Sequence, residues 1–443
     1  MKISIVGTGY VGLVSGACLA ELGHEVVCVD VDPGKVDMIT TRNPPIYERG
    51  LQELLNRNVP DRLTATTDLR KAVLESDLSM IAVGTPFDGT VIDLKYIRQA
   101  ATDIGNVLRE KPGYHMVVVK STVVPGTTTD VVLPILEEAS GKTAGEDFGV
   151  GMNPEFLREG EAIEDFMHPD RIVLGAIDKR STDVLDRLYS VFRDVDVVRT
   201  DPGTAEMIKY TANSLLATLI SFSNEIANLC AAQKVDVADV MKGVHLDRRF
   251  SPILAGGERV TPGLIAYLWP GAGFGGSCFP KDVRALIAHG ASGGANMQLL
   301  SSVIDVNDRQ PQKMIEMLEK GVGKIEGIDV TVLGVAFKPG TDDIRESPSI
   351  PVIQALAAKG ARVTAFDPIA RKEAEHVLGN TVVFRDTLAE AVNGAKAILL
   401  MTAWPEFKNL PELVGMSENE ALVIDGRRML YKTSVTNYAG IGL

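Results

Sequence analysis

Short apolar runs rich in Val and Ile alternate with helically patterned stretches from the first residues onward. Residues 3–6 read as a strand, 11–22 as a helix and 25–30 as a second strand. Further strands are predicted at 78–83, 116–120 and 148–152, with helices such as 96–109 and 128–138 between them. A strand that is apolar at every position needs cover on both faces, and helices between successive strands make the sheet parallel. The pattern predicts a doubly wound α/β domain over residues 1–200.

The middle of the chain breaks this rhythm. From Thr204 to Gln233 there is neither Pro nor Gly, and Ile208, Leu215, Leu216, Leu219, Ile220, Ile226 and Leu229 recur at helical spacing. Such a helix runs about 45 Å at 1.5 Å per residue, a length suited to joining domains and to forming a dimer seam. Strand–helix alternation returns at 329–335, 362–367 and 397–401 and ends at Leu422–Asp425. The fold class is therefore α/β, with two doubly wound (Rossmann-like) domains, residues 1–200 and 319–443, joined by the long central helix and a helical middle domain, 201–318, expected to form a homodimer.

Composition narrows the classes of function. Hydrophobic residues make up 45% and charged ones 23%, the balance of a globular chain, which excludes a disordered or fibrous protein. Against 45 Lys and Arg stand 58 Asp and Glu, a formal net charge of -13. An acidic surface repels phosphate backbones, so nucleic acid is not the expected partner. The four cysteines, Cys18, Cys28, Cys230 and Cys278, are widely spaced and predict a reducing compartment rather than a disulfide scaffold. The chain opens on a strand and a glycine turn, not on a signal peptide, and no apolar run approaches the ~20 residues of a membrane span. A cytoplasmic protein without a membrane partner is expected.

Chemistry is concentrated in a few segments. Gly7-Thr8-Gly9-Tyr10-Val11-Gly12 follows a strand and opens a helix, and Asp30 lies 23 residues after Gly7 at the end of the next strand. Glycines there allow a tight turn and close approach to a pyrophosphate seated on a helix N-terminus, and the carboxylate takes the ribose hydroxyls. A carboxylate at that place repels the extra phosphate of NADP, so the predicted cofactor is NAD. In the glycine-rich run 271–282, Cys278 with Lys281 and Asp282 beside it reads either as an activated nucleophile or as a buried core cysteine. In Asn153-Pro154-Glu155-Phe156-Leu157-Arg158-Glu159-Gly160 the two glutamates form either an acid–base pair or a solvated turn bridged by Arg158. Lys209 and Asn213 lie one helical turn apart on the long helix, where a lysine is ordinarily a surface charge. The six histidines show no metal spacing and no HExxH or CxxC occurs, so no metal is expected. A serine-hydrolase elbow is absent too.

Taken together, these segments resemble the nucleotide-sugar 6-dehydrogenases, the family of UDP-glucose and GDP-mannose dehydrogenases. Besides the segments above, the resemblance rests on Val83-Gly84-Thr85-Pro86, Ser121-Thr122-Val123-Val124-Pro125-Gly126-Thr127, Ala205-Glu206-Met207-Ile208-Lys209-Tyr210 and Phe337-Lys338-Pro339-Gly340-Thr341-Asp342-Asp343-Ile344-Arg345. It covers essentially the whole chain. It implies oxidation of a sugar C6 alcohol to a carboxylate by two NAD, with a thiohemiacetal and then a thioester on Cys278. It further implies that Lys209 stabilises an oxyanion, that Asn213 donates to the same oxygen, and that Asp282 holds a water. Glu155 becomes the acid or base of thioester hydrolysis, with Thr122 placing the water. Gly7, Gly9, Tyr10, Val11, Gly12, Asp30, Lys35, Thr85, Thr122, Glu159 and Arg345 become cofactor contacts. Glu155, Phe156, Leu157, Lys209, Asn213, Arg249, Tyr267, Leu268, Gly275, Phe337, Lys338 and Arg427 become the nucleotide-sugar site, Arg249 reaching a partner subunit's substrate.

Within the family, Asp425-Gly426-Arg427 and Asn224–Cys230 resemble the UDP-glucose group, with GDP-mannose or another nucleotide hexose as the alternative. The 250–269 loop is longer than the family's usual. Two readings outside the family compete: a two-electron β-hydroxyacid dehydrogenase, which needs no thiol and no second α/β domain, and a catalytically silent NAD sensor, which would have lost its active-site residues.

Overall fold

In a computed structural model that describes residues 1–415 and 420–443, the chain divides into two compact units, Met1–Ala212 and Asn213–Leu443. The division falls within the long helix, Pro202–Gln233.

The first unit is an eight-stranded sheet ordered β3-β2-β1-β4-β5-β6-β7-β8. Its strands are β1 (Lys2–Val6), β2 (Glu25–Val29), β3 (Leu63–Thr66), β4 (Leu78–Ile81), β5 (His115–Val119), β6 (Phe148–Met152), β7 (Arg171–Ala176) and β8 (Asp196–Thr200). β1 to β6 are parallel, as their unbroken apolar runs require. β4 and β5 are buried at every position. The helix Tyr10–Glu21 has an uninterrupted buried stretch, Gly12 to Ala20, because it packs between the sheet and outer helices. β7 departs from the parallel expectation. It runs antiparallel to β6, with Gly151 opposite Ala176, and β8 then pairs parallel to it. β3, β7 and β8 lie outside the predicted strand set. β3 and β8 are partly exposed and lack an all-apolar run.

Strand order reverses between β1 and β4, so the loops after β1 and β4 flank a crevice at the carboxyl ends of the strands, where ligands of such sheets bind. The segments that carry chemistry in this unit follow β1, β2, β4, β5 and β6. The predicted helix 128–138 is instead a π-turn, Thr127–Val132, leading into an α-helix, Leu133–Ser140.

The second unit begins on the remainder of the long helix and adds Val237–His245, Phe279–Ser292 and Gln298–Val322 before a six-stranded parallel sheet. That sheet is ordered β11-β10-β9-β12-β13-β14, from β9 (Asp329–Leu333), β10 (Arg362–Phe366), β11 (Val383–Phe384), β12 (Ala397–Leu400), β13 (Leu422–Asp425) and β14 (Tyr438–Gly440). The two sheets share the order of their first six strands, so both halves are wound on one plan. The alternation does not end at Leu422–Asp425, because β14 adds a short strand paired to it.

By length and composition the long helix could cross a bilayer. Within the second unit it is tied to its neighbours by polar side chains: Ser221 donates to Val303 O (2.7 Å), and Asn224 Oδ1 accepts from Gly271 N (2.7 Å). One stripe remains uncovered, Leu215, Phe222 and Leu229, each about half exposed and seven residues apart.

Candidate functional site

The glycine turn after β1 has the geometry of a phosphate cradle. Gly7 has φ +100°, and a Cβ there would lie 2.6 Å from Ala82 O, so the turn admits only glycine. A Cβ on Gly12 would lie 2.0 Å from Gly7 O, which is how the helix starts so close to the strand. Gly9, by contrast, caps the helix with no side-chain bond, and a Cβ there would meet nothing within 4 Å. The first-turn amides therefore face open space, the arrangement a pyrophosphate needs.

Asp30 accepts from Thr8 N (2.8 Å) and Thr8 Oγ1 (2.5 Å) on one oxygen and from Asp32 N (3.0 Å) on the other. Burial pushes its carboxyl up, but these bonds and the charge of Lys35 hold it below the usual carboxylate range. It stays ionised, and the oxygen with one donor keeps acceptor capacity for a ribose hydroxyl. The residues present fit NAD.

Tyr10 opens the first helix, but its hydroxyl is given to Glu48, a residue the sequence reading missed. Glu48 also accepts from Gly160 N (2.6 Å) and Ala162 N (3.0 Å). It thereby ties the segment carrying Glu159 to the glycine turn. Thr85 donates to Thr122 O (2.9 Å), joining the loops after β4 and β5. The chain beyond Thr122 is clamped by Glu206, which is fully buried and accepts from Gly126 N, Thr128 N and Thr128 Oγ1 at 2.6–2.8 Å. Burial pushes Glu206 up to about 7, against those bonds.

The loop after β6 resolves the open reading of Glu155. It is buried, not solvated, and pairs with Lys209 Nζ at 2.9 Å, the two side chains only 5% and 4% exposed. Burial pushes the Glu155 carboxyl up, but the Lys209 charge and hydrogen bond, Leu157 N–H and the charge of Lys120 hold it below its ordinary value. Leu157 N donates to Glu155 Oε2 at 2.6 Å. Phe156 lies between two cations, with the Arg171 guanidinium 3.8 Å and Lys209 Nζ 5.4 Å from its ring centre. Lys209 is thus no surface lysine, although Arg158 does turn outward to Asp165 and Glu161.

In the second unit Cys278 is the N-cap residue of Phe279–Ser292 and is half-buried, whereas Cys18, Cys28 and Cys230 are core. The amides of the first helical turn favour negative charge on the sulfur. Asp282, one turn on, is 1% exposed; it accepts from Lys281 Nζ (2.5 Å) and Asn213 Nδ2 (2.7 Å). The glycines before Cys278 allow backbone contact that no side chain permits: a Cβ on Gly275 would lie 2.2 Å from Glu346 O, and one on Gly276 2.8 Å from the Phe337 ring. Lys338 lies 5.8 Å over that same ring.

Arg427 follows β13, donating to Met401 O (2.5 Å) and Gly273 O (3.2 Å). Burial pulls its guanidinium down to about 10, and its Nη2 is buried with no acceptor among the described residues. An orphaned guanidinium nitrogen is a ready anion or carbonyl donor. Leu268 is buried, with its carbonyl 2.8 Å from His245 Nε2, and Tyr267 packs on Phe279. Arg249 and Arg345 are exposed, and each clasps an aspartate two residues before it, Asp247 and Asp343.

Comparison with known proteins gives one consistent family. Three models of the UDP-glucose/GDP-mannose dehydrogenase family match the chain: the NAD binding domain over 1–193, the central domain over 203–309 and the UDP binding domain over 331–432. UDP-glucose 6-dehydrogenase AglM of Haloferax volcanii is 43% identical over 100% of both chains. A GDP-mannose 6-dehydrogenase of Pseudomonas syringae pv. syringae is 45% identical over 83% of this chain and 81% of its own. The solved structure of a UDP-glucose dehydrogenase from Pyrobaculum islandicum matches with a TM-score of 0.90 at 39% identity, covering 99% of this chain and 97% of that one.

Proposed function

Because the chain belongs to the UDP-glucose/GDP-mannose dehydrogenase family, we propose that its substrate is UDP-glucose and its product the C6 acid, formed through a covalent adduct on Cys278. The chain is an NAD-dependent nucleotide-sugar 6-dehydrogenase. What supports UDP-glucose over GDP-mannose is Asp425-Gly426-Arg427, where a sequence pattern of the UDP-glucose group coincides with a buried guanidinium nitrogen that has no acceptor among the described residues.

NAD, when bound, accepts one hydride, so a carboxylate product requires two such oxidations. The Gly9 helix terminus and Asp30 hold the dinucleotide. Thr85, Thr122, Lys35, Glu159 and Arg345 complete its contacts. The Cys278 thiolate adds to the aldehyde left by the first oxidation, forming a C–S bond while the carbonyl oxygen takes a proton. The second oxidation removes a hydride from that carbon and a proton from its hydroxyl, leaving a thioester. Water then attacks the carbonyl, the C–S bond breaks, and the thiol recovers its proton. Lys209, with Asn213 beside it in sequence, supplies positive charge and a donor to the oxyanion. Glu155 takes the proton of the attacking water, and Asp282 holds that water.

The test is NADH formed per molecule of limiting UDP-glucose, with GDP-mannose in parallel. The expected result is two NADH from UDP-glucose and none from GDP-mannose; NADP in place of NAD gives no turnover if Asp30 faces the ribose. One NADH per sugar, or turnover on GDP-mannose alone, overturns the reading.

The same reading assigns residues 319–443 to the nucleotide sugar and 201–318 to the thiol and to dimer formation. A second copy of this chain covers the Leu215–Phe222–Leu229 stripe, whose seven-residue spacing suits antiparallel or parallel helix packing. Arg249 then reaches the neighbour's substrate. Light scattering should give twice the 47.6 kDa chain mass for the wild type and the single mass for Phe222→Asp/Leu229→Asp. A monomeric wild type rules the dimer out.

A further inference from the structure

Lys120, at the carboxyl end of β5, is 4% exposed, an unusual place for a lysine. Its Nζ donates to Asn153 Oδ1 at 2.7 Å, and Asn153 stands two residues before Glu155 on the loop after β6. Asn153 Oδ1 also accepts from Tyr189 OH (2.5 Å), while Asn153 Nδ2 donates to Val173 O (2.8 Å). The rings of Phe166 and Tyr189 lie 5.9 and 6.0 Å from the ammonium. Burial pulls the Lys120 ammonium down to about 8; Glu155 works against that shift and Lys209 with it. Two buried cations thus act on one buried carboxylate. A salt bridge alone needs one, and the second charge is costly to bury without a purpose.

We propose that Lys120 is a positioning residue of the acid–base site, fixing the Asn153–Glu155 segment and supplying a second positive charge that keeps Glu155 ionised and able to accept a proton from water. The proposal rests on the assignment of Glu155 as that base. The charged groups facing Lys120 are Glu155 from the loop after β6 and Lys209 from the long helix. Tyr189, on the loop before β8, is pushed up by burial and stays neutral. Removing a cation raises the pKa of a nearby carboxylate, so the pH below which Glu155 is protonated moves up.

The test is Lys120→Met, which keeps the length of the side chain. Asn153 Oδ1 retains the Tyr189 hydroxyl, so no acceptor is orphaned and the variant should fold. The acid limb of the kcat profile for acid formation is expected to move up by about one pH unit, with kcat on the plateau near pH 7 and KM for NAD and for the sugar little changed. Lys120→Arg, which keeps the charge, should leave the limb in place and serves also if Lys120→Met does not fold: a shifted limb in Lys120→Arg counts against the charge. An unshifted limb in a folded Lys120→Met overturns the proposal. Glu155→Gln run in parallel separates the two ideas. If Glu155→Gln keeps wild-type hydrolysis, the base assignment itself fails; if it is inactive while Lys120→Met matches the wild type, only the role of Lys120 falls.

Discussion

Cys278→Ser enzyme, given UDP-glucose and excess NAD, is expected to form the acid at least about a thousandfold more slowly than the wild type. A serine hydroxyl is scarcely ionised at neutral pH, so it adds weakly to an aldehyde, and the ester it would form resists hydrolysis more than a thioester. The first oxidation does not need the thiol, so a slow, single NADH equivalent per site should precede the stall. Loss of folding is not a competing explanation. Cys278 makes no side-chain cap bond to Phe279–Ser292, and serine differs from it by a single atom. The variant should fold as the wild type does. Rapid-quench analysis of the sugar product, with thermal unfolding alongside, checks both halves. Sustained acid formation near the wild-type rate would remove the cysteine from the mechanism.

The parts of this enzyme that local rules govern were legible in the sequence. The Gly7–Gly12 turn is legible because its requirement is steric: a Cβ at two of its glycines would collide with backbone, and the third must stay open. The long helix is legible because its apolar period runs from Thr204 to Gln233 without a breaker, though its start at Pro202 lies two residues earlier than periodicity alone places it. Proline is favoured in a first turn, where its missing N–H costs nothing. The edge strands β3 and β8 were not legible, since a half-exposed strand has no apolar run to announce it.

The same division runs through the site. Cys278, Glu155 and Lys209 could be named as candidates, but whether each was buried depended on contacts from distant segments. Glu48, Lys120 and Glu206 were missed for that reason. Each is a charged residue of a kind ordinarily found on surfaces, and each owes its burial to loops converging at the carboxyl edge of the first sheet. Lys120 did carry one signal. It directly follows the fully apolar run 116–119, and a polar residue at the carboxyl end of a central parallel strand stands where ligands bind.

The Glu155–Lys209 pair gives the second large effect, because its members are worth little apart. Lys209→Met leaves a buried carboxylate without its paired cation, and breaking a buried pair from one side costs about 3–5 kcal/mol. Turnover is expected to fall by about a hundredfold or more, as for loss of a fixed charge at a developing oxyanion. The pH dependence of stability should change sign. In the wild type the Glu155 carboxyl sits below its unfolded value, so its contribution is present above that value and fades as pH falls through the folded pKa. In Lys209→Met, burial outweighs the remaining charge of Lys120 and the folded pKa rises above the unfolded one. The protonated carboxyl is then tolerated in acid and stability drains away as pH rises. The deficit in Tm should be largest at pH 7 to 8 and shrink toward pH 4. Lys209→Met/Glu155→Gln, which removes both charges, should recover most of the stability and none of the activity. That separation of stability from turnover is what a catalytic ion pair requires; a double variant that regains turnover would make the pair structural.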